Sequence, residues 1–133
     1  MIGGRVLDTS ALIDAATGRT IYTRAFVQTA VEMGVVLAVP ATALQDAWAT
    51  LPQDARPFLE LVVDMPVTVV EALTADMAQA AGIAGQEARG GQYATTPAHV
   101  VQTAISRSWP VLTVDPAPLE AINPEVLIER LPG

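Results

Sequence analysis

The chain has 133 residues, 51% of them hydrophobic, no cysteine and a net charge of −7. That length suits a single domain, residues 1–133, large enough to bury a core. Without cysteine there are no disulfides, zinc–thiolate sites or thiol nucleophiles, and the acidic balance argues against a general nucleic-acid binder.

The seven cations are all arginines: Arg5, Arg19, Arg24, Arg56, Arg89, Arg107 and Arg130. They are scattered, so a basic patch can come only from folding. The absence of lysine removes Schiff-base chemistry and a P-loop lysine. No apolar run approaches the roughly 20 residues of a membrane span. Asp8 interrupts the first apolar stretch, so the N-terminus does not read as a secretory signal. The expected location is the cytoplasm, with no membrane association.

In chain order, Gly3-Gly4 leads into a strand over 5–7, followed by a short helix over 10–16. A longer helix over 20–33 carries Ile21, Ala25, Val27, Ala30 and Val31 as a helical stripe and stops at Gly34. The continuous apolar run 35–39, ended by Pro40, reads as a buried parallel strand. Helix is expected over 41–51 and 52–63, then a third strand over 67–70. An Ala-rich helix over 74–89, broken by Gly82 and Gly85, ends at Gly90-Gly91. Residues 96–108 form the next helix, with Thr96 at the N-cap and Pro97 in the first helical position. A fourth strand over 111–114 ends at Asp115-Pro116, before a short helix over 116–122 and a last strand over 126–128. This alternation with short connections gives an α/β fold with a mostly parallel sheet and helices on both faces.

In such sheets ligands bind at the carboxyl ends of the strands. Asp8 closes the first strand, Asp115 closes the fourth, and Asp46 lies one turn into the helix after the second. If those three strands are neighbours, the carboxylates meet. Clustered carboxylates repel and need a cation; Mg²⁺ or Mn²⁺ suits oxygen ligands and supports phosphodiester hydrolysis. The plainer readings are a turn former for Asp115 and a solvated helix face for Asp46. Asp14 and Asp76 read as solvated. His99, the lone histidine, reads as a partly exposed first-turn residue, with a catalytic base as the alternative. Tyr93 and Trp109 suit base stacking or packing, and packing beside the fourth strand is favoured for Trp109.

Four segments, in order and spanning essentially the whole chain, carry a family resemblance. Val6-Leu7-Asp8-Thr9-Ser10-Ala11-Leu12-Ile13 resembles the opening of a PIN domain. Residues 39–48 resemble its second acidic motif, 97–104 its third, and Trp109-Pro110-Val111-Leu112-Thr113-Val114-Asp115-Pro116 its fourth. The resemblance implies a three-layer α/β/α sandwich and points to small VapC-like toxins, Mg²⁺-dependent endoribonucleases inhibited by an antitoxin. Carried over, it makes Asp8, Asp46 and Asp115 metal ligands and catalytic residues, with Ser10 a polar neighbour holding ligand or water. Asp46 replaces the usual Glu with a shorter side chain. The third acid is missing: Pro97 stands there, preceded by Thr96. Thr96, Gln45 and Gln92 are the uncharged candidates to complete an ion's coordination in its place.

Two functions follow. One is a PIN-like protein whose incomplete site has weak or lost nuclease activity and which binds RNA or an antitoxin-like protein, with a homodimer as the expected assembly. The alternative is an active endoribonuclease using Mg²⁺ or Mn²⁺. A phosphoacceptor or phosphatase built on Asp8 is disfavoured, because no lysine is present and Ser10 stands where a second Asp would be needed.

Overall fold

The structure is a computed structural model that describes residues 3–88, 91 and 93–133. Five strands form one sheet: β1 (Gly4–Leu7), β2 (Val36–Pro40), β3 (Thr68–Glu71), β4 (Val111–Thr113) and β5 (Ile128–Arg130). The helices are α1 (Thr9–Thr17), α2 (Tyr22–Met33), α3 (Ala41–Thr50), α4 (Arg56–Asp64), α5 (Ala75–Gly85), α6 (Thr95–Arg107) and α7 (Ala117–Ile122). A 3₁₀ turn over Gln53–Ala55 precedes α4, so the helix expected over 52–63 begins as a tighter turn after Pro52.

The strand order is β3-β2-β1-β4-β5, and every ladder among the described residues is parallel. This is the three-layer α/β/α arrangement: α1 packs with α2 and α4, α6 packs with α5 and α7, and α3 touches both α1 and α6. The chain builds outward from β1 in one direction as far as β3, then returns to place β4 on the other side of β1. The switch point therefore lies between β1 and β4, where doubly wound sheets open a ligand crevice beyond the strand ends.

The core rests on Val6, Leu7, Leu37, Val39, Val111 and Leu112 of the strands, with Leu12, Leu59, Val62, Val100 and Val101 of the helices against them. Alanines fill the closest approaches, including Ala11, Ala15, Ala43, Ala47 and Ala104. Gly34 ends α2 in the left-handed conformation (φ 71°), as the sequence requires of a helix stop.

Three expectations change. The last strand is Ile128–Arg130 rather than 126–128; Val126 is instead buried before the strand begins. Gly82 does not break α5, but the helix ends at Gly85, with residues 86–88 outside it, short of the expected end at Arg89; Arg89 and Gly90 themselves lie outside the described residues. Asp14 is buried, not solvated: its carboxylate accepts from Thr20 Oγ1 (2.7 Å), the Thr20 amide (3.0 Å) and Thr23 Oγ1 (2.6 Å), with Arg19 at 3.4 Å. Burial pushes its pKa up. The two threonine hydroxyls, the amide and Arg19 outweigh that and hold it below the usual carboxylate range. Asp76 is exposed in the first turn of α5, as expected.

Candidate functional site

The β1–α1 turn positions Asp8. It is the N-cap of α1: Oδ1 accepts from the Ala11 amide (2.9 Å) and from Ser10 Oγ (2.7 Å). Ser10 Oγ in turn accepts from the Val114 amide (2.9 Å) and lies 3.4 Å from Thr113 Oγ1. Ser10 thus ties the end of β1 to the end of β4. Thr113 is fully buried, and its Oγ1 accepts from the Asp115 amide (3.1 Å).

Asp8 is only 9% exposed. Burial pushes its carboxyl above the ordinary value, and the hydroxyls of Thr113 and Ser10 and the amides of Ala11 and Ser10 pull it back without offsetting that. An acid kept in a desolvated position at the switch point has the character of a site residue.

The other two acids are held differently. Asp115 is exposed, and its Oδ1 accepts from the Ala117 amide (3.3 Å), so it also forms the turn that opens α7. Asp46 is exposed on α3, and its Oδ2 accepts from Thr96 Oγ1 (2.6 Å). Thr96 is therefore not the N-cap of α6. That place belongs to Ala94, which makes no side-chain bond, and the Thr96 hydroxyl is drawn away to a carboxylate on another helix.

Asp8, Asp46 and Asp115 line one cleft of about 320 Å³, together with Thr9, Ser10, Thr96 and Pro97. Ile13, Val100, Pro118 and Leu119 supply its apolar wall, and among the described residues no arginine lines it. Gln45 is outside the cleft lining, and Gln92 lies outside the described residues. The contribution of α7 was missed in sequence, because nothing local signals that Pro118 and Leu119 turn toward an acid three and four positions earlier.

A divalent ion needs several oxygen ligands at one point. Among the described residues, no group of three or more His, Cys, Asp or Glu side chains is placed to hold one. Each of the three carboxylates already accepts from a donor of the protein itself. The donor set present does not fit Mg²⁺ or Mn²⁺ as a formed site.

His99 is fully buried, against the expectation of partial exposure. Its Nδ1 lies 2.8 Å from Thr42 Oγ1, joining α6 to α3, and Nε2 has no partner among the described residues. Burial pushes its pKa below 6.5, while Glu71 acts in the opposite sense. Trp109 packs over Gly4 at the start of β1, at the amino ends of the strands, opposite the cleft.

The comparisons bear on this geometry. No family model matches the chain, and no curated protein matches it. Among solved structures, VapBC2 from Rickettsia felis, bound to a DNA fragment from its promoter, superposes with a TM-score of 0.74 over 99% of this chain and 100% of that one, at 12% identity. DNA-bound VapBC from Salmonella typhimurium gives 0.72 at 18% identity, covering 98% of each chain. The chain shares a three-layer α/β/α, PIN-like fold with these structures. At these identities the likeness is one of fold, and it bears out the architecture that the four motifs imply. No helix among the described residues is long and apolar enough to cross a membrane.

Proposed function

We propose that this PIN-fold protein carries an incomplete acidic metal site, with weak or lost nuclease activity, and acts by binding. Its partner is a basic, amphipathic segment of an antitoxin-like protein seated in the cleft. One observation carries the reading: among the described residues the cleft presents three carboxylates and an apolar wall, with no arginine in its lining. Phosphates of RNA would meet three carboxylates there and no cation among the described lining residues. A guanidinium finds carboxylate partners, and its aliphatic stem finds Ile13, Val100 and Leu119. The two solved VapBC structures support a partnered state for this fold. A homodimer belongs to the same reading, supported by the apolar residues exposed along α2.

The test is calorimetric titration with a short amphipathic Arg/Leu helical peptide. Binding should weaken by about tenfold or more in the Asp8→Asn, Asp46→Asn, Asp115→Asn triple variant and should fall with added salt. Equal affinity for both proteins overturns the cleft as the docking place.

An endoribonuclease using Mg²⁺ or Mn²⁺ is the second reading, favoured by the three acids that line one cleft. RNA cleavage that requires Mn²⁺ and vanishes in Asp8→Asn would establish it; no cutting at high Mn²⁺ removes it.

A further inference from the structure

We propose that Thr96 does at Asp46 what a cation would do in a complete acidic site, so that the cleft keeps its carboxylates in place without an ion. This rests on the cleft being the acidic site of the fold, as argued above. The missing acid falls at Pro97, in the first turn of α6. Proline has no side-chain donor or acceptor and no amide hydrogen. Loss of an acid there removes ion affinity, and by itself would leave Asp46 facing the remaining carboxylates uncompensated.

The adjacent residue supplies the compensation. Thr96 Oγ1 donates to Asp46 Oδ2 at 2.6 Å, at the short end for a hydroxyl–carboxylate bond. The bond also sets a carboxylate against the N-terminal turn of a 13-residue helix whose cap residue, Ala94, makes no side-chain bond. The positive end of the α6 dipole favours that charge. A second tie, Thr42 to His99, fastens the same two helices one turn further in. Asp8 and Asp115 complete the pattern through Ser10, Ala11 and Ala117. Each carboxylate is anchored through one oxygen, Oδ1 for Asp8 and Asp115 and Oδ2 for Asp46, so the protein's own donors rather than an ion set its direction. Thr96 is thus a positioning residue, and position 97 separates an ion-free cleft from an ion-binding one.

The experiment uses the full chain with Mn²⁺ alone as probe, read by calorimetry and by the electron-spin signal of the free ion, without any activity assay. Wild type should bind Mn²⁺ no better than millimolar, and Asp8→Asn should not change that. Pro97→Asp restores an acid at a helix turn that tolerates one and should raise affinity about tenfold or more. The gain should disappear when Asp8→Asn is added. Thr96→Val should lower the melting temperature by about 4 °C, and Thr96→Ser should retain it.

Micromolar Mn²⁺ binding by wild type that Asp8→Asn abolishes overturns the proposal. So does a folded Pro97→Asp variant without added affinity, or a Thr96→Val variant as stable as wild type. If Pro97→Asp does not fold, the wild-type titration and the Thr96 pair still decide. A cleft that ignores both peptide and Mn²⁺ overturns the docking reading and leaves this inference standing; tight Mn²⁺ binding overturns this one alone.

Discussion

Asp8 spends stability to remain where it is. Its folded pKa is raised by burial above the unfolded value of 3.8. A carboxyl shifted that way is protonated first in the folded state, so the wild type gains stability as pH falls through the folded pKa toward 3.8, and the ionised group is a burden above it. Asn caps helices as well as Asp and can accept from Ser10 and Ala11 through its own Oδ1. Asp8→Asn should therefore raise stability by about 1 kcal/mol at pH 7, with the advantage shrinking toward pH 4. Urea unfolding at the two pH values measures it; a variant no more stable at pH 7 would show that the buried charge is fully compensated. Asp14 has the opposite sign. Its depressed pKa contributes stability above 3.8 that is lost as pH falls through the folded value. The two acids are therefore distinguishable by titration: one is a structural tie between α1 and the start of α2, the other a charge kept against the grain of the fold.

At the scale of elements, Gly4 fixes how β4 enters the sheet. A Cβ on Gly4 would stand 2.5 Å from Cε3 and Cζ3 of Trp109. The indole also carries the Arg107 guanidinium, 5.0 Å from its ring centroid, so moving the ring would cost that contact as well. Gly4→Ala should cost about 2 kcal/mol by overpacking, and Trp109→Leu should remove most of that penalty in a double-mutant cycle. Denaturant midpoints decide; an additive pair would mean that the ring has room to move. Elements of this kind were largely legible in sequence. The run from Val35 to Val39 could be read as a buried strand and Gly34 as a stop because both signals are local. The same holds for the strand-end acids Asp8 and Asp115. What resisted reading is non-local. Thr96 looks like a cap until Asp46 is seen fifty residues away in sequence, and Asp14 looks solvated until Thr20 and Thr23 fold back on it. His99 gives no sign that Thr42 waits for it. The sequence could state that three acids share a cleft only on condition that β2, β1 and β4 are neighbours. The observed order meets that condition, while the spacing of the carboxylates within the cleft was beyond any local pattern.

At the scale of the whole molecule, the side of α2 that carries Tyr22 and Met33 is an apolar surface that a lone copy leaves open. Thr23, Val27 and Ala30 bury the inner face of α2, yet Ile21 (77% exposed), Tyr22 (58%), Val31 (47%) and Met33 (59%) face outward. Tyr22 and Met33 are eleven residues apart, close to three full turns, so they share one side of the helix. A two-fold axis across the middle of α2 would lay the helices antiparallel and set Tyr22 of one copy over Met33 of the second, a thioether–aromatic contact repeated twice. Such an interface also keeps the acidic cleft apart from the dimer contact, which matters for a chain of net charge −7. The protein should therefore sediment as a dimer at high micromolar concentration. Met33→Glu or Tyr22→Glu should each shift it to a monomer without changing helix content by circular dichroism. Val70→Lys, on the half-exposed edge strand β3, should leave the mass unchanged. A monomer at high micromolar concentration removes the dimer; a dimer that survives Met33→Glu and breaks with Val70→Lys moves the contact to the β3 edge.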